Sequence, residues 1–313
     1  MLGKTANGLF WMYRYLERAE NTSRLIETGQ RIALTRLQST DEEWRPILQT
    51  AGMLSAFEAA HDSITHADAI DWMLRSPDNP SSVLSCIAAA RQNARLVRTA
   101  LTGEVWEAMN STYLTAKQIL ARRSSERDLP GILGRIRQHT SLVRGTTHGT
   151  MLRNDIYDFA RIGTFLERAD NTARILDVKY YVLLPSVRAV GSSIDNVQWE
   201  TILRSVSARG GFRLEYGNSY DPRDIAQFLI LDKRMPRSLY FCVRKIRDNL
   251  GYLTSGYGER PQSWQIADQI ERRFLSYDID AIFEFGLHQF IEEVLGRLSD
   301  LGRQVEIDYR FYE

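Results

Sequence analysis

Met12, Leu16, Ala19, Ser23 and Ile26 fall at i, i+4, i+7, i+11 and i+14, one face of a helix through the opening segment. Ile162, Leu166, Ala169, Ala173 and Leu176 mark the same face in a later segment. No stretch sustains a period of two, so the pattern predicts helices and no sheet. "NPSS" at Asn79–Ser82 and "MPRS" at Met235–Ser238 read as helix starts, where a missing N–H costs little and a hydroxyl can cap. Breaks are expected at Asp78–Pro80, Asp128–Gly131, Pro185–Ser193, Arg209–Gly211 and Tyr216–Pro222. The expected fold is an all-α helical bundle, with roughly four or five helices in each of two similar sets.

The two sets are suggested by a repeated phrase. LERAENTSR at Leu16–Arg24 faces LERADNTAR at Leu166–Arg174, with 150 positions between Glu17 and Glu167. A second block follows at a spacing of 156, matching Asp68 with Asp224, Pro80 with Pro236, Ser82 with Ser238, Cys86 with Cys242, Arg91 with Arg247 and Asn93 with Asn249. The blocks keep their order, which predicts a tandem duplication of two multi-helix halves, 1–149 and 150–313, packed as one domain.

Composition narrows the function classes. The 313 residues are 43% hydrophobic, ample for a core. Lys and Arg number 40 against 39 Asp and Glu, so no net field draws the chain to nucleic acid or to an anionic membrane. Only five of the basic residues are Lys, a bias that suits bidentate pairing with carboxylates. Cys86 and Cys242 form no CxxC and read as core thiols. No apolar run approaches a membrane span and no signal segment opens the chain, so a cytoplasmic protein is expected.

Candidate chemistry concentrates in the repeated phrase. Glu17, Asn21 and Arg24 line up opposite the apolar face, as do Glu167, Asn171 and Arg174, with Arg18 and Arg168 about 100° round. Such a stripe is ordinarily half exposed. Three readings stand: a buried ion-pair network joining the halves about a pseudo-twofold axis, a polar cleft for a ligand or partner, or surface pairing. Arg91, Arg95 and Arg98 form a second stripe, beside Asn93, that could grip an anionic group. Of the three only Arg91 persists in the later segment, so the stripe is expected to serve recognition of an anionic group or acidic partner surface, the alternative being salt bridges to nearby acids such as Glu104 and Glu107. Glu58–His61, "EAAH", has the Glu-x-x-His spacing of di-metal bundles but lacks the second copy such sites need. No nucleophile–base set and no phosphate loop assembles, so no catalytic residue, metal or cofactor is assigned.

"FWMYRYLERAENTSRLIE" from Phe10, "NPSSVLSCIAAARQNARLVRTALTGEVWEAMNSTYL" from Asn79, "FLERADNTARILD" from Phe165 and "FLILDKRMPRSLYFCV" from Phe228 together resemble the bacterial alpha-E domain family, over essentially the whole chain. The resemblance departs at Ile156-Tyr157, where the family often has Gly-Trp, and at Thr164, often Arg. It implies association with a circularly permuted ATP-grasp protein and a transglutaminase-like peptidase, in a system that makes or modifies amide bonds. The expected function is thus a non-catalytic helical scaffold or accessory subunit, with a homo-oligomer left open. The rival expectation is a small-molecule enzyme using Glu17 and Glu167 for acid/base chemistry.

Overall fold

The computed structural model describes residues 2–34, 44–182, 193–258 and 260–312. Among them the chain forms fifteen α-helices and no strand. The first seven are α1 (Gly3–Leu34), α2 (Trp44–Thr50), α3 (Leu54–Ala60), α4 (His66–Leu74), α5 (Val83–Leu96), α6 (Gly103–Ile119) and α7 (Leu129–Thr150). The other eight are α8 (Asp155–Val182), α9 (Ser193–Ser205), α10 (Arg209–Tyr216), α11 (Pro222–Ile230), α12 (Leu239–Tyr257), α13 (Gln262–Ser276), α14 (Ile279–Phe285) and α15 (Leu287–Asp308). Each set therefore holds more helices than the four or five expected. The additional ones, such as α2, α3 and α14 at seven residues each, are too short to display a 3.6-residue period. The expected break at Arg209–Gly211 is instead the first turn of α10, and the one at Pro185–Ser193 falls largely outside the described residues.

Local chemistry fixes several helix starts. Ser82 and Ser238 have nearly the same backbone (φ −60, ψ 153 and φ −67, ψ 152), and each hydroxyl accepts the N–H three residues on. Pro80 and Pro236 lie two residues ahead of these caps, and each carbonyl takes a contact from the thiol of Cys86 or Cys242 at 3.8 Å. Both thiols are buried and pushed up to about 12 by desolvation, so they are inert core groups. Buried positions also correspond late in each set: Leu133, Ile136, Thr140, Val143 and Thr147 of α7 match Ile291, Val294, Leu298, Leu301 and Val305 of α15 at a spacing of 158.

The long helices α1 and α8 form the axis of the molecule. Contacts advance in the same direction along both, from Phe10 with Gly163 to Arg14 and Arg18 with Glu167, so the two run parallel. Gly163 permits this approach: a Cβ there would lie 2.3 Å from the Phe10 carbonyl oxygen. α1 packs against α5, α7, α8 and α9, while α8 packs against α12, α15, α1 and α2. The short helices are thus exchanged, α9 lying on α1 and α2 on α8. Surrounded in this way, α1 buries Glu17 and Asn21 of its motif stripe, while Arg18 and Arg24 stay partly exposed. Glu17, Glu20 and Ser23 are as buried as Leu16 and Ala19, all at 0% exposure, as the buried-network reading of the stripe requires and surface pairing does not. Among the described residues no helix is long and apolar enough to cross a membrane.

Candidate functional site

Where α1 and α8 cross, the Glu-Arg pairs are exchanged. Arg18 donates to both oxygens of Glu167, at 2.5 and 3.0 Å, and Arg168 donates to both oxygens of Glu17, at 2.9 and 3.0 Å. Adjacent residues on a helix point about 100° apart. Two parallel helices can therefore each offer a Glu to the other's Arg, and two fork-shaped contacts form side by side. The buried-network reading holds at these four residues.

Around this exchange lie two clefts of similar framework and different filling. The closed cleft contains Glu17, Glu20, Asn21, Arg24 and Arg168. Arg237, projecting from the turn before α12, is buried in it, with contacts to Glu17 Oε1 at 2.9 Å, Glu20 Oε1 at 2.8 Å and Asn21 Oδ1 at 3.1 Å. Its backbone is anchored too, since Thr172 Oγ1 donates to the Arg237 carbonyl at 2.9 Å and Arg168 to that of Pro236 at 3.3 Å. Arg144 of α7 reaches Glu17 at 3.3 Å and also pairs with Glu20, to which Thr140 donates at 3.0 Å. Arg24 completes the wall by bonding Glu20 and donating to Ser207 Oγ at 2.6 Å. Ser207 stands at φ 56, a left-handed conformation that costs an L-residue roughly 1–2 kcal/mol, and the bond from Arg24 helps offset it.

The open cleft repeats this frame with Glu167, Asp170, Asn171, Arg174 and Arg18, and encloses a cavity of about 210 Å³. Ser81 lines it at the position matching Arg237, and Gly52, at φ +68, lines it at the position matching Ser207. Arg14 gives Glu167 a further bond at 3.0 Å. Gly302 occupies the place on α15 that Arg144 holds on α7, packs against Leu166 and lies beside the Arg14 guanidinium. Arg174 bonds Asp170 at 2.7 and 3.2 Å. Neither end of the Asn171 amide makes a hydrogen bond, although the residue is only 7% exposed and its Nδ2 is buried. The Nδ2 of Asn21 is also buried without a partner.

Burial is the largest influence on each of these carboxyls and would raise it, but the guanidiniums win. Arg168, Arg237 and Arg144 hold Glu17 far below the usual carboxylate range, and Arg18 and Arg14 bring Glu167 down to about 2. Glu20, opposed also by Glu17, is lowered to about 2 by Arg144, Arg237 and Arg24. Burial pulls Arg237 down to about 10, so it remains charged at neutral pH. These carboxylates accept hydrogen bonds and carry no exchangeable proton near neutrality.

The Arg91, Arg95 and Arg98 stripe is not one helical edge. α5 ends at Leu96 and Val97 leaves the helical conformation, so Arg98 falls in a separate single turn, its guanidinium 5.1 Å from the Trp106 ring centre. Arg91 is tied to α6, bonding Asn110 at 2.8 Å and lying 4.8 Å from the Tyr113 ring centre. Its counterpart Arg247 forms an ion pair with Glu271 at 2.7 Å, so this position links neighbouring helices in both sets. Arg95 is exposed, and Asn93 bonds back to the Ala89 carbonyl at 2.9 Å. In the EAAH segment Glu58 pairs with Arg45 and His61 stacks on Phe57, ring centres 4.1 Å apart.

Arg14 of the open cleft and Glu20, Thr140, Arg144 and Arg237 of the closed one escape sequence reasoning. Two carry a signal. Arg237 is a charge placed in a cap sequence whose partner has Ser81, and Arg14 faces Thr164 within an otherwise matched phrase.

The exchange gives physical meaning to an adjacent Glu-Arg pair. The model of the Alpha-E family, described as a predicted alpha-helical domain with a conserved ER motif, matches residues 1–309. The chain belongs to the Alpha-E family. The ER pairs of this Alpha-E protein are Glu17-Arg18 and Glu167-Arg168, and each pair is completed by the other. The uncharacterized protein Mb2597 of Mycobacterium bovis and the uncharacterized protein Rv2567 of Mycobacterium tuberculosis are each 25% identical to it over 325 residues, 96% of this chain and 36% of their own. The chain thus spans little more than a third of the length of these curated relatives. No solved structure matches it.

Proposed function

We propose that this Alpha-E protein is a non-catalytic helical scaffold or accessory subunit of a bacterial amide-bond synthesis or modification system. Its partner would be a circularly permuted ATP-grasp ligase-like protein, with a transglutaminase-like peptidase as a further associate, in the cytoplasm. The observation that carries this reading is the complete pairing of both motif carboxylates with guanidiniums from the opposite long helix. A general acid or base must exchange a proton near working pH, and Glu17 and Glu167 are held ionised well below it. That weighs against the rival, an enzyme using these two residues for acid/base chemistry. The extra length of the mycobacterial relatives favours a module that works alongside another chain or domain.

We also infer that residues 1–149 and 150–313 arose by tandem duplication. The paired Ser caps, the matched thiol contacts and the reciprocal exchange support it. To test the partnership, the protein is co-expressed with a circularly permuted ATP-grasp protein from the same genome, and the mixture is measured by size exclusion with light scattering. A defined complex that raises ligase turnover is expected. Monodisperse, non-interacting chains, or amide chemistry by this protein alone, would overturn the reading.

A further inference from the structure

The closed and open clefts differ by one guanidinium. Around Glu17 and Glu20 stand four: Arg24, Arg144, Arg168 and Arg237. Around Glu167 and Asp170 stand three: Arg14, Arg18 and Arg174. Arg14 supplies what Arg144 supplies elsewhere, so the missing member is the counterpart of Arg237, whose position holds Ser81. The vacated volume persists as the cavity of about 210 Å³. Its acceptors also persist. Both amide nitrogens are buried without an acceptor, so the contrast lies at the oxygens: Asn21 Oδ1 accepts from Arg237 at 3.1 Å, whereas Asn171 Oδ1 accepts nothing. Asp170 is one methylene shorter than Glu20, which widens the space further.

A second cavity, of about 320 Å³, lies beside Arg24, Arg31, Arg204 and Arg209, but each of those guanidiniums already has a carboxylate partner. Among the described residues the open cleft combines a cavity, an Asn171 side-chain oxygen with no hydrogen-bond donor on it and an occupied counterpart that displays what fits.

We propose that the open cleft is a receptor for a guanidinium group supplied from outside the domain, held by Glu167, Asp170 and Asn171 as Arg237 is held by Glu17, Glu20 and Asn21. The planar fork of a guanidinium matches carboxylate and amide oxygens arranged around one plane, and an ammonium does not reproduce that geometry. The group belongs either to a small guanidino compound or to an arginine side chain of another protein. The inference is independent of any partnership with a ligase.

The test uses the full-length protein. Agmatine, ethylguanidine and a short blocked peptide with one central arginine are titrated by calorimetry, with butylamine and the lysine peptide as comparators. The Asn171 side-chain amide resonance is followed by NMR. Guanidinium probes should bind at least about tenfold more tightly than their amine counterparts, a difference of about 1.4 kcal/mol, and should shift the Asn171 signal. Ser81→Arg should place a built-in guanidinium in the cleft, abolish binding and raise Tm. Asp170→Asn should weaken binding by about tenfold at unchanged fold. Tighter binding of the peptide than of agmatine assigns the site to a partner's arginine, and the reverse assigns it to a small molecule. The proposal is overturned if no guanidinium probe moves the Asn171 resonance up to about 10 mM, a Kd worth under 3 kcal/mol. It is likewise overturned if butylamine binds equally well, or if phosphate or glutamate binds there in preference. Should Ser81→Arg not fold, Asp170→Asn and the Asn171 resonance decide the matter.

Discussion

The closed and open clefts share a frame and differ in how charge is satisfied. In the closed cleft Glu17 and Glu20 are fully buried, and their guanidiniums come from α1, α7, α8 and the turn before α12. In the open cleft Asp170 and Arg174 keep 28% and 41% side-chain exposure and pair only along their own helix. Removing two carboxylates from water costs several kcal/mol each unless cations surround them. The closed cleft meets that cost with four cations from four elements and becomes a clasp, while the open cleft leaves it partly to solvent and keeps a cavity. The same phrase of sequence thus yields a structural lock on one side and a receptor-shaped space on the other.

The sharpest way to break this comparison is to remove one carboxylate from each side. Glu17→Ala leaves Arg168, Arg237 and Arg144 facing one another without it, and should cost about 3–5 kcal/mol in urea unfolding. That is a large share of a typical 5–15 kcal/mol stability. Glu167→Ala should cost less, because Arg14 and Arg18 retain 17% and 27% exposure and can turn towards water. Equal losses would dissolve the distinction. Arg237→Ser gives the closed cleft the side chain of the open one. It should cost about 1.5–3 kcal/mol, the worth of hydrogen bonds to charged groups, and millimolar ethylguanidine should restore part of the lost Tm.

Acid probes both clefts together. The carboxyls of Glu20 and Glu167 are lowered to about 2 in the fold, against an unfolded value near 4.5. Their stabilisation is therefore complete above pH 4.5 and is lost as pH falls towards 2. At pH 3 the loss should be about 1–2 kcal/mol for each group, read from denaturant melts across pH. Asp158, outside the clefts, provides the opposite sign. Burial, reinforced by Asp155, pushes it up to about 7, so it weakens the fold as pH rises from about 4 to 7. Asp158→Asn should stabilise by about 2–4 kcal/mol at pH 8 and hardly at all at pH 4.

Much of this was readable in advance, for identifiable reasons. The Ser82 and Ser238 caps were legible because capping is local chemistry. The helical character of α1 and α8 was legible because their apolar spacing repeats over many turns. The burial of Glu17 and Asn21 was not, since periodicity reports which face is polar and not whether water or guanidinium meets it. Arg98 was misplaced because its i+7 spacing assumed a helix that ends at Leu96. The partnership of Arg237 with Glu20 spans 217 positions and was beyond any local pattern. Only its contrast with Ser81 hinted that one side had gained a charge.

The reach of Arg237 back to the first long helix also bears on how the chain is made. When the ribosome has released α1, Glu17 and Glu20 have neither Arg168 nor Arg237 to neutralise them. At about 5–20 residues per second, the 220 positions from Glu17 to Arg237 take roughly 10–45 s to synthesise. During that interval Glu17 and Glu20 can reach only Arg24, Thr140 and Arg144 of the closed cleft, so the first half on its own cannot complete their pairing. The clasp can be completed only once Arg237 has been made, so its closure reports that most of the chain has arrived.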